Sequence, residues 1–244
     1  MRTIALRTLI LMITVLTGCF SSGMADQSDD STELPQAIVE IGEVTFEAPS
    51  LPKGCFANVE EIPSSHIITA DDPRLQSDRL IVVNKQDRRV MLFSDGKLRH
   101  DRPGESPDCW RTALGVDRYG NSSGTFDKSA EGDRRTPEGW FHTSDKPSSQ
   151  YYGAIRVHYP GERHAKQALN KGRITETTYN KIARAEQHGT IPPQNTVLGG
   201  EILVHGGGSS ADWTWGCIAL NNHDLDELRG LLPMGMKTWI LILP

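Results

Sequence analysis

The chain has 244 residues, with 26 basic and 31 acidic side chains, and a formal net charge of −5 at pH 7. Residues 1–18 carry two arginines, residues 19–77 carry a net charge of −9, and residues 78–244 carry +2. A nucleic-acid-binding protein needs a basic patch, so this distribution argues against a nucleic-acid partner.

The first 18 residues are typical of a secretory signal. Two arginines flank the start, an apolar run continues to Leu16, and the run is too short to span a bilayer as a finished helix. The ending Leu16-Thr17-Gly18-Cys19 resembles the lipobox of bacterial lipoproteins, in which the cysteine is acylated and becomes the first residue. The alternative is ordinary cleavage near Gly18 or Ala25, which leaves Cys19 unmodified or removes it.

If Cys19 is acylated, we expect the protein to be secreted across the inner membrane and anchored by lipid in the cell envelope. Each buried methylene contributes about 0.8 kcal/mol, so several acyl chains hold a protein on a membrane essentially permanently. The next residue is Phe20 and not aspartate, and the resemblance to lipoproteins of two-membrane bacteria therefore implies a periplasmic protein on the outer membrane.

Residues 19–77 are predicted to be an acidic tether followed by an N-terminal extension. The segment to Leu34 is polar, acidic and poor in aromatic residues, as expected for a flexible tether. Between Pro35 and Pro73 the pattern AIVEIGEVTF favours one strand, and prolines interrupt the rest. We expect this extension to pack partly on the following domain.

Residues 78–244 are predicted to form one mostly β domain with short helices, because short apolar runs alternate with turn residues. The predicted strands are Leu80–Val83, Val90–Phe93, Trp110–Gly115, Trp140–Thr143, Tyr152–Tyr159, Glu201–Val204 and Thr238–Leu243. The first two form a hairpin across the polar NKQDRR, and the sixth leads directly into His205.

Two helical pieces interrupt the strands. Residues 162–189 are predicted to form a helix-turn-helix insertion, with Gly172 between its arms and Thr175 as an N-cap. A last helix follows Asn222, where Leu225, Leu228 and Leu232 form an apolar stripe that Pro233 ends. The insertion precedes the strand that carries His205, so we expect it to form a lid.

The cysteines divide into two groups. Cys55 and Cys109 lie in irregular, proline-flanked stretches, which suits a surface disulfide, although three cysteines besides Cys19 also allow that none is paired. Cys217 sits between a glycine and an apolar run, twelve residues after His205. A zinc site is disfavoured because the chain has no C-x-x-C and no histidine cluster at ligand spacing, and we expect no metal or cofactor.

Several motifs occur in the order of one enzyme family. The segments ALG, GDRRTPEG, HGGG and TWGCIALNN resemble the L,D-transpeptidase (YkuD-type) catalytic domain of bacterial cell-wall enzymes, over about residues 78–244. The resemblance implies the β-sandwich or barrel fold of that family, with the helical insertion before the strand that leads into His205. In that family a histidine precedes Ser/Thr-His-Gly-Cys. His205, Thr214, Gly216 and Cys217 match this signature, whereas Trp215 replaces the usual second histidine. This form and the insertion look closer to the subgroup that includes a hydrolase releasing lipoprotein from the wall.

The residue types agree with cysteine chemistry. A thiol becomes a strong nucleophile as a thiolate, and the imidazole of His205 can take the proton of Cys217 if the glycine-rich segment folds back. The N–H groups of Gly216 and Cys217 are the predicted oxyanion donors, as the resemblance also implies. A carbonyl near Gly206 or Gly207 would hold the second imidazole nitrogen, as in the family.

Four other residues are weaker candidates for substrate contacts. Thr214 and Trp215 flank the nucleophile, Tyr152 begins a predicted strand, and Arg156 could meet a substrate carboxylate. Such residues also occur without any contact to substrate, because aromatic residues often pack in cores and arginines are often solvated. Likewise, a lone cysteine in an apolar run is usually a core thiol. HGGG also occurs in serine esterases, which need G-x-S-x-G, and the chain has no such sequence.

The resemblance implies an L,D-transpeptidase that acts on the tetrapeptide stems of peptidoglycan through a thioester on Cys217. D-Ala would leave, and an amine from another stem, a D-amino acid or a lipoprotein lysine would resolve the thioester. The resemblance also implies inhibition by carbapenems. The alternatives are an L,D-hydrolase, either a carboxypeptidase or an amidase that releases wall-linked lipoprotein, and a non-catalytic module that binds peptidoglycan.

Overall fold

The computed structural model describes residues 50–65, 67–100, 106–122 and 124–244, all within one compact unit that spans Ala48–Pro244. The signal peptide, Cys19 and the strand predicted in AIVEIGEVTF lie outside the described residues. The division into residues 1–18, 19–77 and 78–244 stays a prediction. Within the described residues no helix is long and apolar enough to cross a membrane.

Nine strands of the described residues form one sheet that curls into a half-barrel. They are β1 (Leu80–Asn84), β2 (Arg89–Ser94), β3 (Lys97–Leu98), β4 (Cys109–Arg111), β5 (Gly139–Asp145), β6 (Ala154–Val157), β7 (Leu203–His205), β8 (Ile218–Ala219) and β9 (Trp239–Leu243). Their order is β3-β2-β1-β9-β5-β6-β7-β8, with β4 also paired to β2. The predicted fold class, mostly β with short helices, is confirmed, and the short strands β3 and β8 were not predicted.

The central strands are buried on both faces, which explains their continuous apolar sequences. In β1, Ile81 and Val83 belong to one hydrophobic cluster, whereas Leu80 and Val82 belong to another. Successive side chains of a strand point to opposite faces, so the two clusters lie on opposite sides of the sheet. The hairpin of β1 and β2 has the predicted partners, with Leu80 opposite Phe93.

The helices pack against separate parts of this sheet. Helix α3 (Asn222–Leu231) contributes the predicted stripe of Leu225, Leu228 and Leu232 to the first cluster. Helices α1 (Glu162–Asn170) and α2 (Glu176–Gln187) form the predicted insertion, and Thr175 caps α2 by accepting a bond from Thr178 N–H at 3.2 Å. The insertion has a small core of its own that includes Ala168, Ile182 and Leu198.

The extension before β1 covers the second face of the sheet. Its side chains Val59, Ile62, Ile68 and Leu75 are buried in the second cluster, and three of them lie in or beside the 3-10 helices Val59–Glu61 and Pro73–Gln76. The structure joins Cys55 to Cys109 in a disulfide with Cα atoms 6.2 Å apart. The extension is therefore fastened to the sheet at β4 by a covalent bond and by apolar packing.

Candidate active site

The parallel pairing of β7 with β8 brings His205 and Cys217 to the same face of the sheet. Val204 lies opposite Ile218, and His205 lies opposite Ala219. Since Val204 and Ile218 point into the first cluster, their neighbours His205 and Cys217 point to the other face, two positions apart along the strands. Both side chains line one cleft of about 770 Å³.

The ring of His205 is held in one orientation. Its Nδ1 lies 2.6 Å from the Gly206 carbonyl oxygen, so Nδ1 carries the hydrogen that is donated and Nε2 keeps its lone pair. Tyr151 stacks on the imidazole at 4.5 Å between ring centroids, and Trp213 meets its edge at 5.5 Å. Burial lowers the pKa of His205, against the opposing effect of the Gly206 bond. The imidazole is therefore a neutral base.

The thiol of Cys217 is free and partly buried. Its hydrogen bond goes to the carbonyl oxygen of Glu201, at 3.6 Å, and not to His205. Burial raises the pKa of Cys217 to about 11, although the N–H of Leu203 near the sulfur acts to lower it. Cys217 thus carries a protonated thiol that shares a cleft with the neutral imidazole of His205.

Thr214 and Gly216 shape the turn that carries the thiol. Thr214 Oγ1 donates to the Cys217 carbonyl at 2.8 Å and accepts from Gly216 N–H at 3.2 Å. Gly216 has a φ of +116°, and a Cβ there would lie 2.6 Å from the Arg135 carbonyl oxygen, so only glycine fits. Of the two predicted oxyanion donors, Gly216 N–H is engaged with Thr214, at the long end of hydrogen-bond distances.

The remaining glycines of HGGG hold the loop. Gly206 supplies the carbonyl that His205 needs, whereas Gly207 N–H donates to Asn222 Oδ1 at 2.9 Å and does not face the cleft as a donor. Gly208 N–H donates to the Leu220 carbonyl at 2.9 Å. These bonds connect the loop to the start of α3.

Asp212 fastens the same loop to three distant segments. Its Oδ1 accepts from Leu114 N–H at 2.9 Å, and its Oδ2 accepts from Ser122 Oγ at 2.5 Å and Arg88 Nη2 at 2.8 Å. Burial acts to raise the pKa of Asp212, but the bonds from Arg88 and Ser122 hold it below its ordinary value. Sequence reasoning missed this residue, since a single aspartate beside Trp213 carries no motif.

Two of the weaker substrate candidates lie elsewhere. Tyr152 turns away from the cleft and donates its hydroxyl to Asp226 at 2.6 Å, and the cleft is lined by its neighbour Tyr151. Both tyrosines lie in the bend before β6, which begins at Ala154 and not at Tyr152 as predicted, and the sequence did not indicate which tyrosine would face inward. Arg156 is also outside the lining, and it donates to the Glu201 carboxylate at 2.7 Å.

Thr214 and Trp215 do line the cleft. Trp215 is 71% exposed at its rim, with the Arg134 guanidinium 4.2 Å from the ring centroid. Trp215 is therefore largely open to solvent. The lid predicted from residues 162–189 is wrong, since none of the described residues that line the cleft belongs to the insertion. Residues 148–151 and 199–203 border it instead.

Charged groups surround the cleft on both sides. Lys128 and Lys146 line it, together with Arg134, Glu131 and Glu201. Lys128 is paired with Asp133 at 2.8 Å, and Lys146 lies 3.3 Å from Glu201. The cleft that holds the thiol is thus also lined by cationic groups, two of which are paired with acidic side chains.

Comparison with known families agrees with this geometry. The sequence model of the YkuD family, described as the L,D-transpeptidase catalytic domain, matches residues 78–241. No curated protein matches the chain.

Solved structures similar to the chain include the following three. A variant of the helical cell shape determining protein Pgp2 from Campylobacter jejuni shares 25% identity, with a TM-score of 0.43, over 68% of this chain and 47% of that one. An L,D-transpeptidase from Mycobacterium tuberculosis H37Rv shares 12%, with a TM-score of 0.38, over 68% and 58%. The L,D-transpeptidase LdtMt1 in complex with imipenem shares 13%, with a TM-score of 0.34, over 68% and 59%. The chain spans about half the length of the structures that it matches.

Proposed function

The chain belongs to the YkuD family of L,D-transpeptidase catalytic domains, and from this premise we propose that it is a cysteine acyltransferase acting on peptidoglycan tetrapeptide stems. The observation that carries the proposal is the β7–β8 register, which puts a free thiol and a neutral imidazole on one face of one cleft. A non-catalytic module would have no need for an imidazole oriented by the Gly206 carbonyl.

In the proposed first step, Nε2 of His205 takes the proton of Cys217. The resulting thiolate attacks the carbonyl carbon of the scissile amide, and the oxygen takes up negative charge. Cys217 N–H is the donor that we assign to this oxyanion, because Gly216 N–H already donates to Thr214. His205 then returns the proton to the leaving amine, D-Ala by family resemblance, and the amide C–N bond breaks to leave a thioester.

In the second step an acceptor amine attacks the thioester carbonyl. His205 takes a proton from the amine, the C–S bond breaks, and the thiol of Cys217 is regenerated with that proton. The family relationship makes another stem or a D-amino acid the acceptor, and a lipoprotein lysine is the third acceptor that resemblance suggests. Lys146 and Arg134 line the cleft, and we assign them to the carboxylates of these peptides.

Hydrolysis is the second candidate, and the open rim of the cleft favours it. A transferase benefits from excluding water until an amine arrives, yet Trp215 is largely exposed and the insertion does not cover the thiol. The first step is the same for both reactions. Water in place of the amine would make the enzyme an L,D-carboxypeptidase, or an amidase that releases wall-linked lipoprotein.

One experiment tests the proposal and separates the two reactions. Purified tetrapeptide stems are incubated with the protein, with and without an added D-amino acid, and the products are identified by mass spectrometry. Transfer yields the exchanged stem, whereas hydrolysis yields only the shortened stem. Cys217→Ala should abolish both products while it leaves the melting curve unchanged. Wild-type rates in this variant would exclude cysteine catalysis.

We also propose that Cys19 is acylated and that the protein is membrane-anchored in the periplasm. The support is the Leu16–Cys19 sequence alone. Cys19→Ala should release the protein into the soluble fraction, and intact-mass analysis of the wild type should show the acyl chains. A mature chain that begins after residue 19 would overturn this proposal.

A further inference from the structure

Two arginines face each other across the antiparallel pair β2–β4. Arg89 and Arg111 are direct partners in the register, so their side chains lie on the same face of the sheet. Like charges at directly opposite positions destabilise a sheet. Such a pair is expected where something else supplies the negative charge.

No carboxylate of the described residues neutralises these two guanidinium groups. Arg89 donates through Nε to the Lys53 carbonyl, and Arg111 donates through Nη2 to the Ser210 carbonyl, each at 3.0 Å. The two acidic side chains of the same cleft form ion pairs with other residues: Asp87 pairs with Lys53 at 3.1 Å, and Asp212 pairs with Arg88 at 2.8 Å. The cleft therefore has two positive charges in excess.

This basic cleft, of about 490 Å³, is lined by the two arginines and by Ser209 and Ala211 of the loop that joins His205 to Cys217. Arg111 bonds that loop directly through Ser210. The disulfide from Cys55 holds the neighbouring Lys53 over Arg89. The cleft is separate from the catalytic one, with which it shares no lining residue, but the two lie on the same loop.

We propose that the basic cleft binds the carboxylate of a second peptide stem on the polymer whose first stem occupies the catalytic cleft. This inference rests on the proposed function. Paired guanidinium groups bind a carboxylate through parallel N–H donors, and a peptidoglycan strand carries many stems, so a strand that crosses the loop brings a second one near. A phosphate-bearing polymer or a membrane has the same charge but no such reason to lie across this loop.

The test is co-sedimentation of the full chain with insoluble peptidoglycan that has been stripped of attached proteins and phosphate polymers. Cys217→Ala is used as the background, so that binding is measured without turnover and independently of the reaction proposed above. In this background Arg89→Gln/Arg111→Gln should bind roughly three- to tenfold more weakly, as expected for two partly exposed ion pairs. The matched control is Lys171→Gln/Lys181→Gln, which removes the same charge from exposed positions of the insertion and should bind like its parent.

Further arms identify the ligand. One further measurement uses glycan strands from which an amidase has removed the stems. The arginine variant and its parent should bind these strands equally well. Binding to vesicles of anionic phospholipid, and competition by inorganic phosphate, test whether the basic cleft binds another anion instead. Arg89→Lys/Arg111→Lys keeps the charge but not the forked donors, so it should recover only part of the binding.

Unchanged binding in the arginine variant, at an unchanged melting temperature, would overturn the proposal. An equal loss in the lysine control would overturn it too, because the attraction would then be non-specific. Binding that needs vesicles or phosphate and ignores stems would replace the stem with another ligand. If stem turnover is absent in the wild type but this difference persists, the proposed function fails and the binding site stands.

Discussion

The thiol of Cys217 donates its hydrogen bond to the main-chain carbonyl of Glu201, with Sγ 3.6 Å from the oxygen. A carbonyl oxygen can accept from a thiol but repels a thiolate, so this contact stabilises the protonated form. The imidazole of His205 lies on the same face and is kept neutral by burial. In the proposed mechanism the thiol is therefore protonated at rest, and its proton passes to His205 during the reaction.

The first prediction concerns the reactivity of this thiol with pH. Burial raises the pKa of Cys217 to about 11, so alkylation by iodoacetamide at neutral pH should be slower than that of the unfolded chain. The rate should rise about tenfold per pH unit, because the thiolate is the reactive form. A plateau near neutral pH would mean that an ion pair with His205 exists at rest. By linkage, the folded state holds this proton more tightly than the unfolded state, so the free energy of unfolding should fall as the pH rises from the pKa of an unfolded cysteine toward 11.

The second prediction concerns Tyr151, which covers His205. Tyr151→Ala removes the ring that stacks at 4.5 Å and admits water to the imidazole, so the pKa of His205 should rise toward its ordinary value. The acidic limb of the kcat/KM profile should move to higher pH, and the rate at its optimum should fall by about tenfold. Tyr151→Phe keeps the stack and should keep the profile. A Tyr152→Ala control removes a tyrosine outside the cleft, and an equal shift there would contradict this role for Tyr151.

The third prediction concerns the Asp212 clamp. Asp212→Ala leaves Leu114 N–H and Arg88 without their acceptor, and should lower the free energy of unfolding by about 2 kcal/mol. It should also lower kcat, because the loop that carries Trp213 loses its anchor. The double variant with Arg88→Ala should lose less stability than the two single variants together, since both remove one ion pair. Denaturant unfolding measures this, and strict additivity would show that the pair contributes nothing.

The fourth prediction concerns stability in acid. Burial first, and then the positive charges of His142 and Arg156, lower the pKa of His158 to about 4. An unfolded histidine binds its proton near pH 6.5, so the unfolded state takes up protons first as the pH falls. His158 should therefore remove up to about 3 kcal/mol of stability between pH 6.5 and pH 4.

The substitution His158→Gln tests this assignment, because it keeps a polar group for Ser144, which lies 2.9 Å from Nε2. The loss of stability on acidification should be smaller in this variant than in the wild type. The exposed His223→Gln serves as the control and should follow the wild type. Parallel curves for all three proteins would place the acid sensitivity elsewhere.

The fifth prediction concerns carbapenems. A strained β-lactam should acylate Cys217, so that an equimolar amount adds its mass to the wild type but not to Cys217→Ala. His205→Ala should slow the acylation by about 10²–10⁴-fold for want of a base. An active enzyme that forms no adduct would show that its cleft excludes the drug, and would weaken the transpeptidase assignment without removing the role of the thiol.

Some features of this protein are determined by neighbouring residues alone. The apolar runs of β1, β2 and β9 predict strands wherever they are placed, and the spacing of Leu225, Leu228 and Leu232 predicts the buried face of α3. The motifs HGGG and TWGC predict His205 and Cys217 as a base and a nucleophile, because these roles depend on residue type, and the structure places both side chains in one cleft. These patterns depend only on residues close together in the chain, so these elements and motifs could be predicted without knowledge of the fold.

What only the tertiary structure decided is which distant groups meet. The register of β7 and β8 puts His205 and Cys217 on one face, yet the sequence of neither strand predicts which strand it pairs with. Tyr151 faces the cleft and Tyr152 does not, although both lie in the same bend before β6, so packing selects the inward one. The Glu201 carbonyl that holds the thiol is a main-chain atom, which every residue has. Pattern predicts elements, but the contacts between elements depend on the packing of the whole chain.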